Sequence, residues 1–218
     1  MPHLDGIIEK IHQSFETRTL VRDEMLKQAR MLTRHCANSI RATHRDERDL
    51  AQTHLQDAKE LVKFLDAKAN NHADFYYAGY TQDALKEYAE ANITYALINH
   101  AEIPTPEELE LGFVPYLKGL AEVAGELRRR CLDRLRYDNA DEANRLLVHM
   151  DDIYAALVTM DYPDAITGGL RRLTDIVRGI TERTRGDITM SLRQERLEKR
   201  LEVFEERIAD IINEEGKA

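Results

Sequence analysis

The chain has 218 residues and carries 40 acidic against 31 basic side chains, a formal charge of −9 that argues against a surface coated with phosphate-binding groups. One third of the residues are charged, there is no Trp, and Pro and Gly gather into no linker, which fits a single domain over 1–218. Cys36 and Cys131 are too few for a disulfide framework and lack metal-site spacing. The Met1-Pro2-His3-Leu4 start has no secretory pattern, and no apolar run nears the roughly 18 residues of a bilayer span, so a soluble, cytoplasmic protein is expected.

Helical period dominates the chain. From Leu4 to His44 apolar residues recur at steps of three and four (Ile7, Ile8, Ile11, Phe15, then Leu20, Met25, Ala29, Leu32, Cys36 and Ile40). A second helix is predicted from about Asp46 through Leu50, Leu61, Phe64 and Leu65 to the polar Asn70-Asn71-His72. A third covers about Phe75 to His100, where Pro104 and Pro106 stop it. Thr105 and Glu108 read as a capping box with Pro106 at the first helical position. A fourth helix spans about Val114 to Tyr137, and a fifth Asp141 to Met160, before the break at Asp161-Tyr162-Pro163-Asp164. The last helical region runs from Asp164 to about Asn213, with a bend expected near Gly186-Asp187 and residues 187–218 as a C-terminal extension. No period-2 run is bounded by turn residues, so no strand is predicted and the fold class is all-α, a bundle of about six to seven helices. Near the end Leu197, Leu201, Phe204, Ile208 and Ile211 alternate at four and three, a seam suited to a partner helix but too short to establish a coiled coil.

Most of the acidic residues must be solvated, so the informative ones are those on an apolar helix. Around Asp83–His100, Leu85, Ala89 and Ala96 share one side, Tyr88, Ala91 and Tyr95 flank them, and Ile93 and Leu97 lie on the other flank. Only a narrow strip remains, holding Asp83, Glu87, Glu90 and Thr94. Such a helix is usually central, and carboxylates on it require a metal, a cation or water, because bare buried charge is expensive. Glu87 and Glu90 are therefore the first candidates. Glu122 and Glu126 form a second pair, opposite Leu117, Leu120, Leu127, Cys131 and Leu135. Periodicity alone reads that pair as a solvated polar face. Two helices that each present a carboxylate pair could also converge on one hard cation such as Mg²⁺.

Other chemistries find little support. A di-iron bundle would want two Glu-x-x-His motifs, and Glu9-Lys10-Ile11-His12 is the only one. There is no phosphate-binding glycine loop, no nucleophile elbow and no His-Glu-x-x-His. The eight histidines are scattered, each read as a surface or packing residue rather than a ligand. Asp151-Asp152, and Asp161 with Asp164, fall on polar faces or helix caps. Arginines cluster at Arg30/Arg34/Arg41/Arg45/Arg48, at Arg128-Arg129-Arg130 with Arg134 and Arg136, and at Arg171-Arg172/Arg178/Arg183/Arg185. Each set repeats at roughly helical spacing and is either a phosphate-contacting stripe or a set of internal ion pairs.

Three segments resemble a known family. Tyr116-Leu117-Lys118-Gly119-Leu120-Ala121-Glu122-Val123-Ala124-Gly125-Glu126-Leu127-Arg128-Arg129 is similar to the segment of translin and translin-associated factor X (TRAX) that runs Tyr-Leu, Gly, then Gly-Glu-Leu and a basic residue. Glu87-Tyr88-Ala89-Glu90-Ala91 resembles the Glu-Tyr-x-Glu-Ala motif of TRAX subunits, and Ser39-Ile40-Arg41-Ala42-Thr43-His44-Arg45 is similar to the end of the family's first helix. The resemblance covers about Ile7 to Arg185 and leaves the segment after Asp187 unmatched. It implies elongated helical bundles assembling into closed, hollow oligomers, octamers or hexamers, that bind RNA or single-stranded DNA inside. It further implies Mg²⁺- or Mn²⁺-dependent endoribonuclease activity on single-stranded RNA, with Glu87, Glu90, Glu122 and Glu126 as the catalytic carboxylates. Glu90 and Glu126 would be direct metal ligands, and Glu87 and Glu122 would bind a second ion or orient the attacking water. Glu122 stands where the family is expected to carry Asp, a longer arm with the same charge. Arg34, Arg41, His44, Arg45 and Arg129 are the expected nucleic-acid contacts. The alternative is a translin-like binding protein without catalysis.

Overall fold

Breaks in the helical pattern, more than the helices themselves, decide how this chain folds back on itself. The computed structural model describes residues 2–215, with side chains for 3–208. Its elements are α1 (Pro2–His44), α2 (Arg48–Ala69), α3 (Ala73–Tyr76), α4 (Gly79–Ile98), α5 (Phe113–Leu135), α6 (Ala140–Val158), α7 (Asp164–Thr167) and α8 (Leu170–Glu215). The described residues contain no strand, as the sequence predicts. Six of the helices are long, and α3 and α7 are single turns of four residues. Asp46, at φ 61°, reverses the chain between α1 and α2, and Asp138, at φ 55°, does so between α5 and α6. Asn139 then caps α6, its side-chain oxygen accepting from the Glu142 amide at 3.1 Å.

Helix α4 is the centre of the bundle. It packs on α1 and α5, with α2 and α6 at its edges, while α5 also packs on α6 and α8. Twelve residues of α4 are buried, including Leu85, Tyr88, Ala89, Ile93 and Leu97. This is the nearly all-round apolar helix that its sequence predicts. Met25, Leu32, Leu65, Leu127, Leu146 and Met150 close the core around it.

Four details differ from the sequence reading. The predicted third helix is split, because the Thr81 hydroxyl donates to the Phe75 carbonyl (2.8 Å) and the Gln82 amide to that of Tyr76 (2.9 Å). These side-chain bonds occupy carbonyls that a continuous helix would have used. The Thr105–Glu108 box forms in both directions, at 2.7 and 3.2 Å, yet it closes only a turn. Glu110 adopts φ 57° immediately afterwards, and the next helix begins only at Phe113. The third difference is that α8 continues through Gly186 without a break. Glycine in a helix costs only about 1 kcal/mol, and buried Ile188 and the Asp187–Arg128 ion pair (2.8 Å) anchor the next turn. Finally, the apolar stripe of α1 is divided. Met25, Ala29, Leu32, Cys36 and Ile40 are buried, but Leu4, Ile7, Ile8, Ile11, Phe15 and Leu20 are exposed within the single chain.

Helices of 43 and 46 residues reach about 65 and 70 Å at about 1.5 Å per residue, so α1 and α8 extend well past the shared core. The seam residues Leu197, Leu201, Phe204 and Ile208 are exposed on the projecting part of α8. The Ile211 side chain lies outside the described residues. No helix among the described residues is long and apolar enough to cross a membrane.

Candidate metal centre

Where α4 crosses α5, the two helices meet almost backbone to backbone. Gly119 permits this: a Cβ there would lie 2.6 Å from Ala89 Cβ and from the Lys86 carbonyl oxygen, and 2.9 Å from the Glu90 amide nitrogen. One turn along, three of the four carboxylates of the two helices converge. One oxygen from each of Glu87, Glu90 and Glu122 lies within 4.8 Å of the other two.

The three carboxylates are unequal. Glu90 is only 8 % exposed and has no hydrogen bond or ion pair among the described residues. Burial pushes its pKa up to about 8, reinforced by the negative charges of Glu87, Glu122 and Glu126. Glu122 and Glu87 share the Lys86 ammonium, at 2.7 and 3.3 Å. Burial alone would lower the Lys86 pKa, but its hydrogen bond to Glu122 and the charge of both glutamates outweigh that and raise it. Lys86 thus supplies one positive charge to a site holding three carboxyl groups.

Glu126 stands beside this trio rather than within it. Its Oε2 lies 2.5 Å from His44 Nε2 and 3.8 Å from Arg129 Nη1. The hydrogen bond from His44 holds the Glu126 carboxyl below the usual range, against the opposing effect of burial. An ionised carboxylate only accepts, so His44 Nε2 carries the proton. His44 Nδ1 is buried with no hydrogen-bond partner among the described residues. His44, an expected nucleic-acid contact, points inward within the single chain, its side chain only 3 % exposed.

The remaining basic residues divide sharply. Arg128 bonds Asp187 and Thr184, Arg130 is buried against Asp46 and the His44 carbonyl, and Arg134 reaches Asp46 at 2.9 Å. Most of that arginine run therefore joins α5 to its neighbours. Arg34 and Arg45 are exposed and unpartnered among the described residues, and Arg41 bonds only Asn38. Positions 34, 41 and 45 step by seven and four, so they follow one face of α1 and its end. Arg129 is half exposed at the rim of the carboxylate site. Lys86 was missed by sequence reasoning: at about 100° per residue it falls between Ile93 and Leu97 on the apolar flank, beside the strip of Asp83, Glu87 and Glu90 rather than on it.

The donor set fits a hard divalent cation. It offers carboxylate oxygens alone, and one of them belongs to a buried carboxyl group that makes no direct ion pair among the described residues. The site should therefore exchange a proton for a metal. Because the Glu90 pKa is raised to about 8 from an ordinary 4.5, the folded state binds the extra proton. In the metal-free protein this site's contribution to stability declines as pH rises from about 4.5 to about 8. Mg²⁺ or Mn²⁺ affinity should rise about tenfold per pH unit between pH 6 and about 8, then level off. Calorimetric titration at pH 6, 7 and 8 checks this, and a pH-independent affinity would place the cation away from Glu90.

No family model matches the chain. An uncharacterised protein of Methanocaldococcus jannaschii is 37% identical over 186 residues, covering 83% of this chain and 81% of that protein. Among solved structures, AfC3PO in complex with duplex RNA is similar at a TM-score of 0.77 and 29% identity, spanning 86% of this chain and 97% of the other. A second crystal structure of AfC3PO is similar at a TM-score of 0.78 and 28% identity, with the same coverage. Apo-NeC3PO shares the fold at a TM-score of 0.76 and 24% identity, over 88% of this chain and 98% of the other.

Proposed function

The chain belongs to the translin and TRAX family, and from that premise we propose that it is a divalent-metal-dependent endoribonuclease. The observation that carries this reading is the convergence of Glu87, Glu90 and Glu122 across the α4–α5 crossing, with Glu90 buried and making no direct ion pair among the described residues. Three carboxylates would repel an RNA phosphate by themselves. A hard cation removes that conflict.

In this proposal Glu90, Glu87 and Glu122 hold the ion. A bound Mg²⁺ or Mn²⁺ would neutralise charge on the phosphate and make a coordinated water more acidic. Glu126, kept ionised by His44, accepts the proton of the attacking water from the rim of the site. This departs from a direct ligand role for Glu126, because one of its oxygens is already committed to His44. Lys86, which holds Glu122 and Glu87, would be free to pair with a phosphate oxygen if those carboxylates held a cation. Arg34, Arg41, Arg45 and Arg129 hold the RNA backbone. The relative AfC3PO forms a complex with duplex RNA, and single-stranded RNA is the substrate proposed for cleavage here. The exposed apolar stretches of α1 and α8 support a homo-oligomer whose interior receives the RNA, which would reconcile RNA binding with the net charge of −9.

The direct test incubates the protein with labelled single-stranded and duplex RNA, with Mg²⁺ or with EDTA. Cleavage confined to the Mg²⁺ samples is expected. Binding without cleavage under any metal would leave a translin-like binding protein. Charge reversal at Arg34 and Arg45 together should lower RNA affinity at least tenfold at moderate salt and flatten its salt dependence, because counterion release scales with phosphate contacts. Fluorescence anisotropy across a salt series measures both, and unchanged slopes would put the RNA on another face.

A further inference from the structure

A second cluster of donors lies outside the carboxylate site, between α1 and α2. His35 Nδ1 of α1 is 3.3 Å from His54 Nδ1 and 3.4 Å from Asp57 Oδ2, both on α2. One ligating atom from each of the three lies within 4.8 Å of the others. His54 and Asp57 are three residues apart and so share a face of α2, which directs both toward His35. The imidazole rings are inclined at 65° with centroids 5.4 Å apart, and their Nδ1 atoms approach to 3.3 Å.

These separations have a specific chemical meaning. Bonds of about 2.0–2.1 Å to nitrogen and about 2.0–2.2 Å to oxygen place neighbouring ligand atoms of a tetrahedral Zn²⁺ about 3.3–3.5 Å apart. Both contacts of His35 have that edge length. The donor types agree as well. Two imidazoles and one carboxylate form a borderline set that suits Zn²⁺, unlike the all-oxygen set of Glu87, Glu90 and Glu122. Two facing Nδ1 atoms share at most one proton between neutral rings, and moving that proton to the far ring nitrogen would replace the His35–His54 hydrogen bond with two lone pairs aimed at one ion. The Asp57 side chain is 51 % exposed and that of His35 23 %, which leaves an entry path and room for a water ligand.

We propose that His35, His54 and Asp57 form a Zn²⁺ site, with water in the fourth position, that clamps α1 to α2. One ligand comes from α1 and two from α2, so the ion cross-links the helices on either side of the Asp46 reversal. A ligand that binds only the folded hairpin stabilises it by mass action.

The test uses the full chain stripped of metal, titrated with Zn²⁺ under excess Mg²⁺ to occupy the carboxylate site. One Zn²⁺ per chain is expected, and Co²⁺ in its place should give the intense visible bands of tetrahedral coordination. His54→Gln and, as an exposed change that spares the fold, Asp57→Asn should each weaken Zn²⁺ by at least about tenfold. Both should also lose the Zn²⁺-induced rise in melting temperature, whereas Glu90→Gln should keep it. No uptake by the parent protein, equal uptake by the parent and Asp57→Asn, or loss of uptake in Glu90→Gln would each overturn the proposal.

Discussion

Glu90→Gln should abolish metal-dependent RNA cleavage while leaving RNA binding nearly intact. Mutations in outer-shell partners of a metal typically cost about 10–100-fold in affinity or activity, and removing a charged ligand should exceed that range. Gln preserves the size of the side chain but not the charge that attracts a hard cation. The fold should not suffer. The native carboxyl is buried, with its pKa pushed up to about 8 by burial and by Glu87, Glu122 and Glu126, so a neutral amide is better tolerated in the metal-free protein. At pH 8 the metal-free variant should melt a few degrees above the parent, because 1 kcal/mol shifts a domain of this size by about 2–4 °C. At pH 5 the difference should vanish, since Glu90 is protonated there. Single-turnover cleavage with Mg²⁺, anisotropy in EDTA and calorimetry at the two pH values give three separate readouts. Full Mg²⁺-dependent cleavage by Glu90→Gln would remove the carboxylate site from the mechanism.

The two halves of this site were unequally legible in the sequence. Glu87 and Glu90 stand out because helical period makes α4 apolar almost all round, and the fold does bury that helix. Glu122 and Glu126 carry no such signal. They occupy the polar side of an amphipathic helix, and only the resemblance of the Gly119–Leu127 segment marks them. Side-chain partners that depend on tertiary geometry were hidden. His44 sits in register with Arg41 and Arg45 along the chain, yet it turns into the core to reach Glu126, 82 positions away. The extra methylene of Glu122, relative to the Asp expected there, reaches the Lys86 ammonium at 2.7 Å. His35 and His54 looked scattered because the α1–α2 reversal that joins them depends on Asp46 adopting a positive φ. Periodicity reports which face of a helix is buried, but not which residue of another helix it meets.

Gly119→Ala should damage stability and cleavage together, because the same close approach serves both. The added Cβ would fall 2.6 Å from Ala89 Cβ and the Lys86 carbonyl and 2.9 Å from the Glu90 amide. None of these is the flexible end of a long side chain. Normal carbon contacts lie at about 3.5–4.0 Å, so α4 and α5 would have to separate by about 1 Å. Overpacking of this kind costs about 1–3 kcal/mol or more, a melting-temperature loss of roughly 2–12 °C for a chain of this length. The displaced groups are the Ala89 Cβ and the backbone of Lys86 and Glu90, so the strain falls directly on the turn that carries the α4 carboxylates. A misplacement of about 1 Å can cost about 10²-fold in rate. Cleavage should therefore fall by about that factor even at temperatures where the variant is fully folded, while RNA binding through Arg34 and Arg45 survives. Gly125→Ala supplies the control, since a Cβ at that position on the same helix meets nothing within 4 Å. That change should leave cleavage intact and stabilise the fold by about 0.4–1 kcal/mol, through reduced freedom of the unfolded chain. Equal melting temperatures and equal rates for the two alanine variants would mean that the α4–α5 approach does not set the carboxylate geometry.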